Sequence, residues 1–199
     1  MQAAAGAAAE RGLAPKLLLV GRPGAGKSTV AQRTADLLRG SGLRVGGSFT
    51  GELRERGRRV GFAVETFPGE RATLAHVSFP GPPRVSKYGV DVEAFERVAL
   101  PALAKAADAD VVIIDELGKM ELASKAFRDA VKGLFDGALP IVATVQSARE
   151  PLTDRLKRRA DVERTPVLFL PHPVAPGDGR GEIDSMAIAG RALTSGRFV

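Results

Sequence analysis

An α/β fold, with a mainly parallel sheet covered by helices on both faces and a small basic β-hairpin, follows from three features of the 199-residue sequence. Short aliphatic runs alternate with helix-period segments, the pattern of βαβ units whose strands are buried on both sides. A glycine-rich loop joins the first aliphatic run to the first helical segment. The length suits one core, since single domains span ~100–200 residues. Residues 15–199 are therefore expected to form a single domain behind a flexible, alanine-rich leader, residues 1–14.

The elements follow in order. Residues 16–20 are aliphatic and bounded by Pro15 and Gly21, as a buried strand requires. Residues 27–38 read as a helix stopped by Gly40 and Gly42. Residues 43–50 read as a second strand, and residues 53–64, centred on Gly57, as the hairpin with cations around its turn. Residues 66–90, rich in proline and glycine, are expected to be an irregular surface segment. Asp91 suits the N-cap of a helix reaching about Ala106, with Pro101 bending or splitting it. Residues 111–115 form a strand buried on both faces. Residues 124–135 form an amphipathic helix with Phe127, Val131, Leu134 and Phe135 on one side. Residues 140–145 read as another buried strand, 152–159 as a short basic helix, 167–170 as the last strand, and 183–193 as a closing helix after a loop. Ligands of such folds bind where the parallel strands end.

Composition removes several classes of function. The 44% hydrophobic and 26% charged content excludes a disordered chain, a collagen and a coiled coil. No cysteine is present, which excludes disulfides, thiolate metal sites and cysteine nucleophiles. Two histidines, His76 and His172, are too few for a histidine-built metal centre. The longest apolar runs fall far short of the ~20 residues of a membrane helix, and residues 1–10 lack the basic start and aliphatic stretch of a secretory signal. A soluble cytoplasmic protein with no membrane partner is expected. The net charge of +6 favours anionic partners. Nucleic acid nevertheless receives little weight, because the arginine clusters are interleaved with acids and aromatics make up only 5%. A monomer is favoured.

Gly21-Arg22-Pro23-Gly24-Ala25-Gly26-Lys27-Ser28 fits the pattern G-x-x-x-x-G-K-S/T in full. Its glycines let successive amides curl toward phosphate oxygens, and the following helix adds its positive N-terminal end. Lys27 can reach the β- and γ-phosphates and the Ser28 hydroxyl can ligate Mg²⁺, while Thr29 either touches a phosphate or supports the helix start. Downstream, Val111-Val112-Ile113-Ile114-Asp115-Glu116 brings two carboxylates to a strand tip. Asp115 fits the Mg²⁺ role, and Glu116 fits the group that orients or deprotonates an attacking water.

Residues 111–122, ending Asp115-Glu116-Leu117-Gly118-Lys119-Met120-Glu121-Leu122, resemble the extended acidic motif of the thermophilic nucleoside-triphosphatase family, which includes a human cancer-related member. The loop at residues 21–29 is similar to that family's phosphate loop, and residues 49–62 to its basic hairpin. Residues 84–90 are similar to its R-V-G-K-Y-G-V segment, with Ser86 in place of a glycine. The likeness covers residues 16–165 and fades after Thr165. It implies a RecA-like P-loop fold and Mg²⁺-dependent hydrolysis of nucleoside 5′-triphosphates (ATP, GTP and others) to the diphosphate and phosphate.

Other residues stay open. A further cation is expected near the γ-phosphoryl group, and Arg54, Arg58, Lys87 and Arg159 are the candidates, the hairpin or the Lys87-Tyr88 loop serving as a lid. Lys119 and Glu121 read slightly better as a surface helix cap than as site residues. Thr144 is either a γ-phosphate contact or a buried strand residue, Tyr88 offers a ring for base stacking, and His172 sits in a loop. Two alternative functions share these motifs: a nucleotide-gated module acting on nucleic acid, and a P-loop nucleotide or small-molecule kinase.

Overall fold

The computed structural model of the chain describes residues 15–67, 69–167, and Ala187, Ile188 and Gly190. Its elements run β1 (Lys16–Gly21), α1 (Lys27–Gly40), β2 (Val45–Glu55), β3 (Arg58–Thr66), β4 (Arg71–His76), β5 (Arg84–Val85), β6 (Tyr88–Val90), α2 (Val92–Lys105), β7 (Val111–Leu117), α3 (Lys125–Asp136), β8 (Ile141–Gln146), α4 (Pro151–Lys157) and β9 (Val162–Pro166). These strands form one sheet in the order β5-β6-β4-β3-β2-β7-β8-β1-β9. The sector β2-β7-β8-β1-β9 is parallel, and β3, β4, β6 and β5 extend it antiparallel.

Alternate residues of the aliphatic runs serve opposite faces, as strand geometry dictates. Leu17, Leu19, Val111 and Ile113 pack with Val30, Ala31, Ala35 and Leu38 of α1, and Ile188 joins them. Leu18, Val112 and Ile114 turn the other way, toward Phe95 of α2, Phe127, Val131 and Phe135 of α3, and Leu152 and Leu156 of α4. The Phe95 and Phe127 rings meet edge-on at 4.9 Å. Each large side chain so buried contributes ~1.5–3 kcal/mol. No described helix is long and apolar enough to cross a membrane.

The predicted Asp91 cap is present, and Ser124 caps the helix that follows it. Asp91 Oδ1 accepts from the Ala94 amide at 2.8 Å, and Ser124 Oγ from the Phe127 amide at 2.9 Å. Two expectations need correction. Residues 66–90 are not an irregular segment, because they contain β4, β5 and β6. Leu74 and Ala75 are fully buried there, and Pro80, Gly81, Pro82 and Pro83 are confined to the stretch between strands. Pro101 does not split its helix. It is exposed, so the Arg97 carbonyl it cannot serve, itself on an exposed residue, opens to water. The expected strand at 167–170 lies, Val167 apart, outside the described residues, and the last described strand is Val162–Pro166. It is an edge strand in which burial alternates, and Glu163, Arg164 and Thr165 disguised it. The closing helix is helical at Ala187, Ile188 and Gly190, and its remaining residues, like residues 1–14 and His172, lie outside those described.

The hairpin is as expected, turning at Arg56 (φ 46°) and Gly57 (φ 78°). The pairing of β2 with β7 reaches only Phe49 opposite Asp115. Residues 50–55 and their β3 partners therefore overhang the parallel sector by ~20 Å, at the end where β1 meets its loop.

Candidate active site

β1 ends at Gly21, and the loop curls through Gly24 (φ 77°) and Gly26 (φ 91°), a region side chains rarely tolerate. A Cβ on Gly21 would lie 2.8 Å from the Val167 carbonyl oxygen, which closes the back of the loop. Gly26 is the N-cap of α1 and brings no side chain to the helix start, so the first-turn amides stay available to an anion. Arg22, Pro23 and Gly24 are exposed and Ala25 is buried. Lys27 is 5% exposed, and its Nζ donates to the Arg22 carbonyl at 3.3 Å.

The loop and the acidic strand tip meet directly. Ser28 Oγ donates to Asp115 Oδ1 at 3.1 Å, and Thr144 Oγ1 donates to the same oxygen at 2.5 Å. Thr144 arrives because β8 lies between β1 and β7. Asp115 is 2% exposed. Burial pushes its carboxyl up to about 6, against the pull of the Thr144 and Ser28 hydroxyls. The β7–β8 ladder breaks between Ile114 and Leu117, and Asp115 and Glu116, joined by a cis peptide, fall in that break. Glu116 Oε1 is buried and has no hydrogen-bond partner among the described residues.

Glu121 is not a surface cap. It is 5% exposed and accepts from Thr50 Oγ1 at 2.9 Å. Burial first, and then the nearby Glu116 and Asp115, raise its carboxyl to about 7. Gly118 separates the two glutamates: a Cβ there would stand 2.9 Å from Glu121 Oε2 and 3.6 Å from Glu116 Cγ. The sequence carried one faint signal of this burial, the two apolar residues Met120 and Leu122 flanking Glu121. Lys119 is exposed.

The predicted cations scatter. Arg54 pairs with Glu52 at 2.6 Å and donates to the Gly57 carbonyl at 3.0 Å, at the overhanging turn that also carries exposed Arg58. Lys87 lies 5.4 Å over the Tyr88 ring, on a turn whose strand β6 is separated from β7 by β4, β3 and β2. Tyr88 is 5% exposed, packs edge-on against Phe62 and accepts from Arg59 Nε, so its ring is core and not a stacking platform. Arg159 lies where β1, β8 and β9 begin, at the opposite end from the phosphate loop. It donates to Asp136, Asp161 and the Phe135 carbonyl.

Ser28 and Asp115 offer a hydroxyl and a carboxylate, hard oxygen donors that suit Mg²⁺. That ion keeps several waters and phosphate oxygens and needs only one or two protein groups. No cluster of three or more His, Cys, Asp or Glu able to hold a metal unaided occurs among the described residues. From this pair a cleft of about 750 Å³ opens between α1 and the strands β2 and β3.

Comparison with known proteins shows the family and the fold. A family model described as NTPase matches residues 16–169. The nucleoside-triphosphatase THEP1 of Thermotoga sp. (strain RQ2) is 40% identical over 148 residues, 74% of this chain and 83% of that one. The crystal structure of THEP1 from the hyperthermophile Aquifex aeolicus superposes with a TM-score of 0.73 at 30% identity, covering 87% of this chain and 96% of the other. The solution structure of a human cancer-related nucleoside triphosphatase gives 0.72 at 32%, covering 92% and 100%.

Proposed function

The chain belongs to the NTPase family, and from that premise we propose that it hydrolyses nucleoside 5′-triphosphates, ATP and GTP among them, to the diphosphate and phosphate with Mg²⁺. The observation that carries this reading is the hydrogen-bonded set Ser28–Asp115–Thr144, set beside a buried Glu116 oxygen that nothing in the described chain satisfies. A buried acceptor left open in this way suits a group waiting for a proton or a water.

In the proposed reaction the amides of residues 21–26 hold the phosphate chain and Lys27 reaches its terminal end. Ser28 and Asp115 would hold Mg²⁺, which when bound would supply positive charge to the phosphate chain. Thr144 keeps Asp115 oriented. Glu116 accepts a proton from a water as that water's oxygen bonds to the γ-phosphorus and the bond to the β-bridging oxygen breaks. Arg54 and Arg58, on the overhang, are the cations proposed to close over the terminal phosphate. Unchanged turnover on alanine substitution of both would remove them from the reaction. The direct test of function is phosphate release from a panel of nucleoside triphosphates with Mg²⁺. Release from several bases, abolished on chelation, is expected. No release from any of them refutes the reading.

A further inference from the structure

The cleft that begins at Ser28 and Asp115 is far larger than a terminal phosphate requires. Its ~750 Å³ falls in the range of small-molecule sites, about 300–1,000 Å³. None of residues 21–27 lines it. Thr29 and Arg33 of α1 carry it away from the loop, and its far wall holds Phe49 and Phe67, whose rings meet edge-on at 5.0 Å. Arg33, Arg39 and Arg71 line the cleft together with Glu65, which stands opposite Arg71 in the β3–β4 register, and no ion pair joins Arg33 or Arg71 to a carboxylate among the described residues. Arg44, Arg54, Arg59, Arg97 and Arg159, by contrast, are ion-paired.

Position decides what such a cleft can serve. Loop amides cradle the α- and β-phosphates, and the P-loop serine and strand-tip aspartate attend the metal between the β- and γ-phosphates. A cleft that shares Ser28, Thr29 and Asp115 with that site, and none of residues 21–27, abuts the metal and terminal-phosphate end and extends away from the loop. We infer that it binds a second small molecule, anionic and carrying a flat ring, of the class of a nucleoside monophosphate. The anion sits on Arg33 and Arg71 and the ring rests against the Phe49–Phe67 pair. Guanidinium groups without partners suit a phosphate through charge-assisted, bidentate hydrogen bonds, and edge-paired phenyl rings suit an aromatic ligand. The placement rests on the proposed phosphate site, whereas the presence of the ligand does not.

The experiment is a titration of fluorescent guanosine monophosphate into the full chain already saturated with a non-hydrolysable triphosphate and Mg²⁺. Saturable binding of one monophosphate beside the bound triphosphate is expected, weakened about tenfold or more in Arg33→Ala/Arg71→Ala. Triphosphate affinity should change less than about twofold in that variant. Inorganic phosphate should bind there far more weakly than the monophosphate if the rings contribute. Displacement of the monophosphate by triphosphate overturns the inference, because it puts both ligands at the phosphate loop. Absence of binding, or equal binding by the double variant, overturns it as well. Failure of the triphosphate itself to bind would instead strike the proposed function, so the two readings fail separately.

Discussion

β1 has a buried lysine at each end, and the two are treated in opposite ways. Lys16, where the strand begins, is 1% exposed, and its Nζ donates to the Gly137 carbonyl at 2.9 Å. Around it Arg159 joins Asp136 and Asp161 in a network that balances charge against charge. Lys27, just beyond the strand's other end, is 5% exposed and has one long bond, 3.3 Å, to the Arg22 carbonyl. Beside it stands Asp115 with a raised carboxyl, followed by Glu116 with an oxygen no described group satisfies, and near those two lies Glu121, also raised. Both ends are polar and buried, but only one is complete. The unfinished end is where an incoming phosphate and cation would supply what the chain withholds, and its incompleteness marks function in the way that saturation marks stability.

The sharpest way to break this comparison is to remove each lysine. Lys27→Met should lower turnover about 10³-fold, the scale for losing a donor aimed at developing charge, with the melting temperature nearly unchanged. Lys16→Met should do the reverse, keeping turnover within about twofold and costing about 2 kcal/mol through the disturbed charge network, since the carbonyl of exposed Gly137 can turn to water. Steady-state kinetics beside thermal melts separate the two outcomes. Similar kinetic losses in both variants would refute the division of labour.

Glu121 sharpens it through pH. Its folded carboxyl keeps a proton up to about pH 7, whereas the unfolded chain loses it near 4.5. Over that window the native state binds more protons, so this group makes stability fall as pH rises. Glu121→Gln keeps an acceptor for Thr50 and cannot ionise. The variant should therefore gain on wild type by on the order of 2 kcal/mol between pH 5 and pH 8, read from denaturant midpoints. A constant gap across that range would contradict the burial argument.

Gly118→Ala tests the spacing of the two glutamates. Its Cβ must displace Glu121 Oε2, 2.9 Å away. Turnover should drop about tenfold through a misplaced Glu116, since displacements on the order of 1 Å are costly in a preorganised site, with triphosphate affinity little altered. Smallest of all, Arg159→Ala should cost about 1 kcal/mol of stability and leave hydrolysis alone. A large kinetic effect there would restore it as a candidate for the reaction.

The parts of the molecule legible in the sequence were those where local chemistry and tertiary position demand the same residues. A strand buried on both faces has to read as Val111-Val112-Ile113-Ile114, a phosphate loop has to carry its glycines, and Asp91 is a cap by residue type and position. β4, β5 and β6 were hidden because they are only six, two and three residues long, so the prolines between them dominated the pattern. β9 was hidden because one face of an edge strand is wet. Glu121 was hidden for a deeper reason. A glutamate six residues beyond Asp115 resembles any exposed acid until β2 folds alongside β7 and brings Thr50 to meet it. Arg159 shows the converse, a cation that sequence proximity to a basic helix recommended and that the parallel sheet carries to the wrong end.

The most direct test is a single-turnover measurement of phosphate release by Glu116→Gln, with triphosphate affinity measured on the same sample. Bound nucleotide held at close to wild-type affinity, with release slowed by about 10²-fold or more, is the predicted result. Wild-type release from that variant would mean that the open carboxylate beside the phosphate loop does not ready the water.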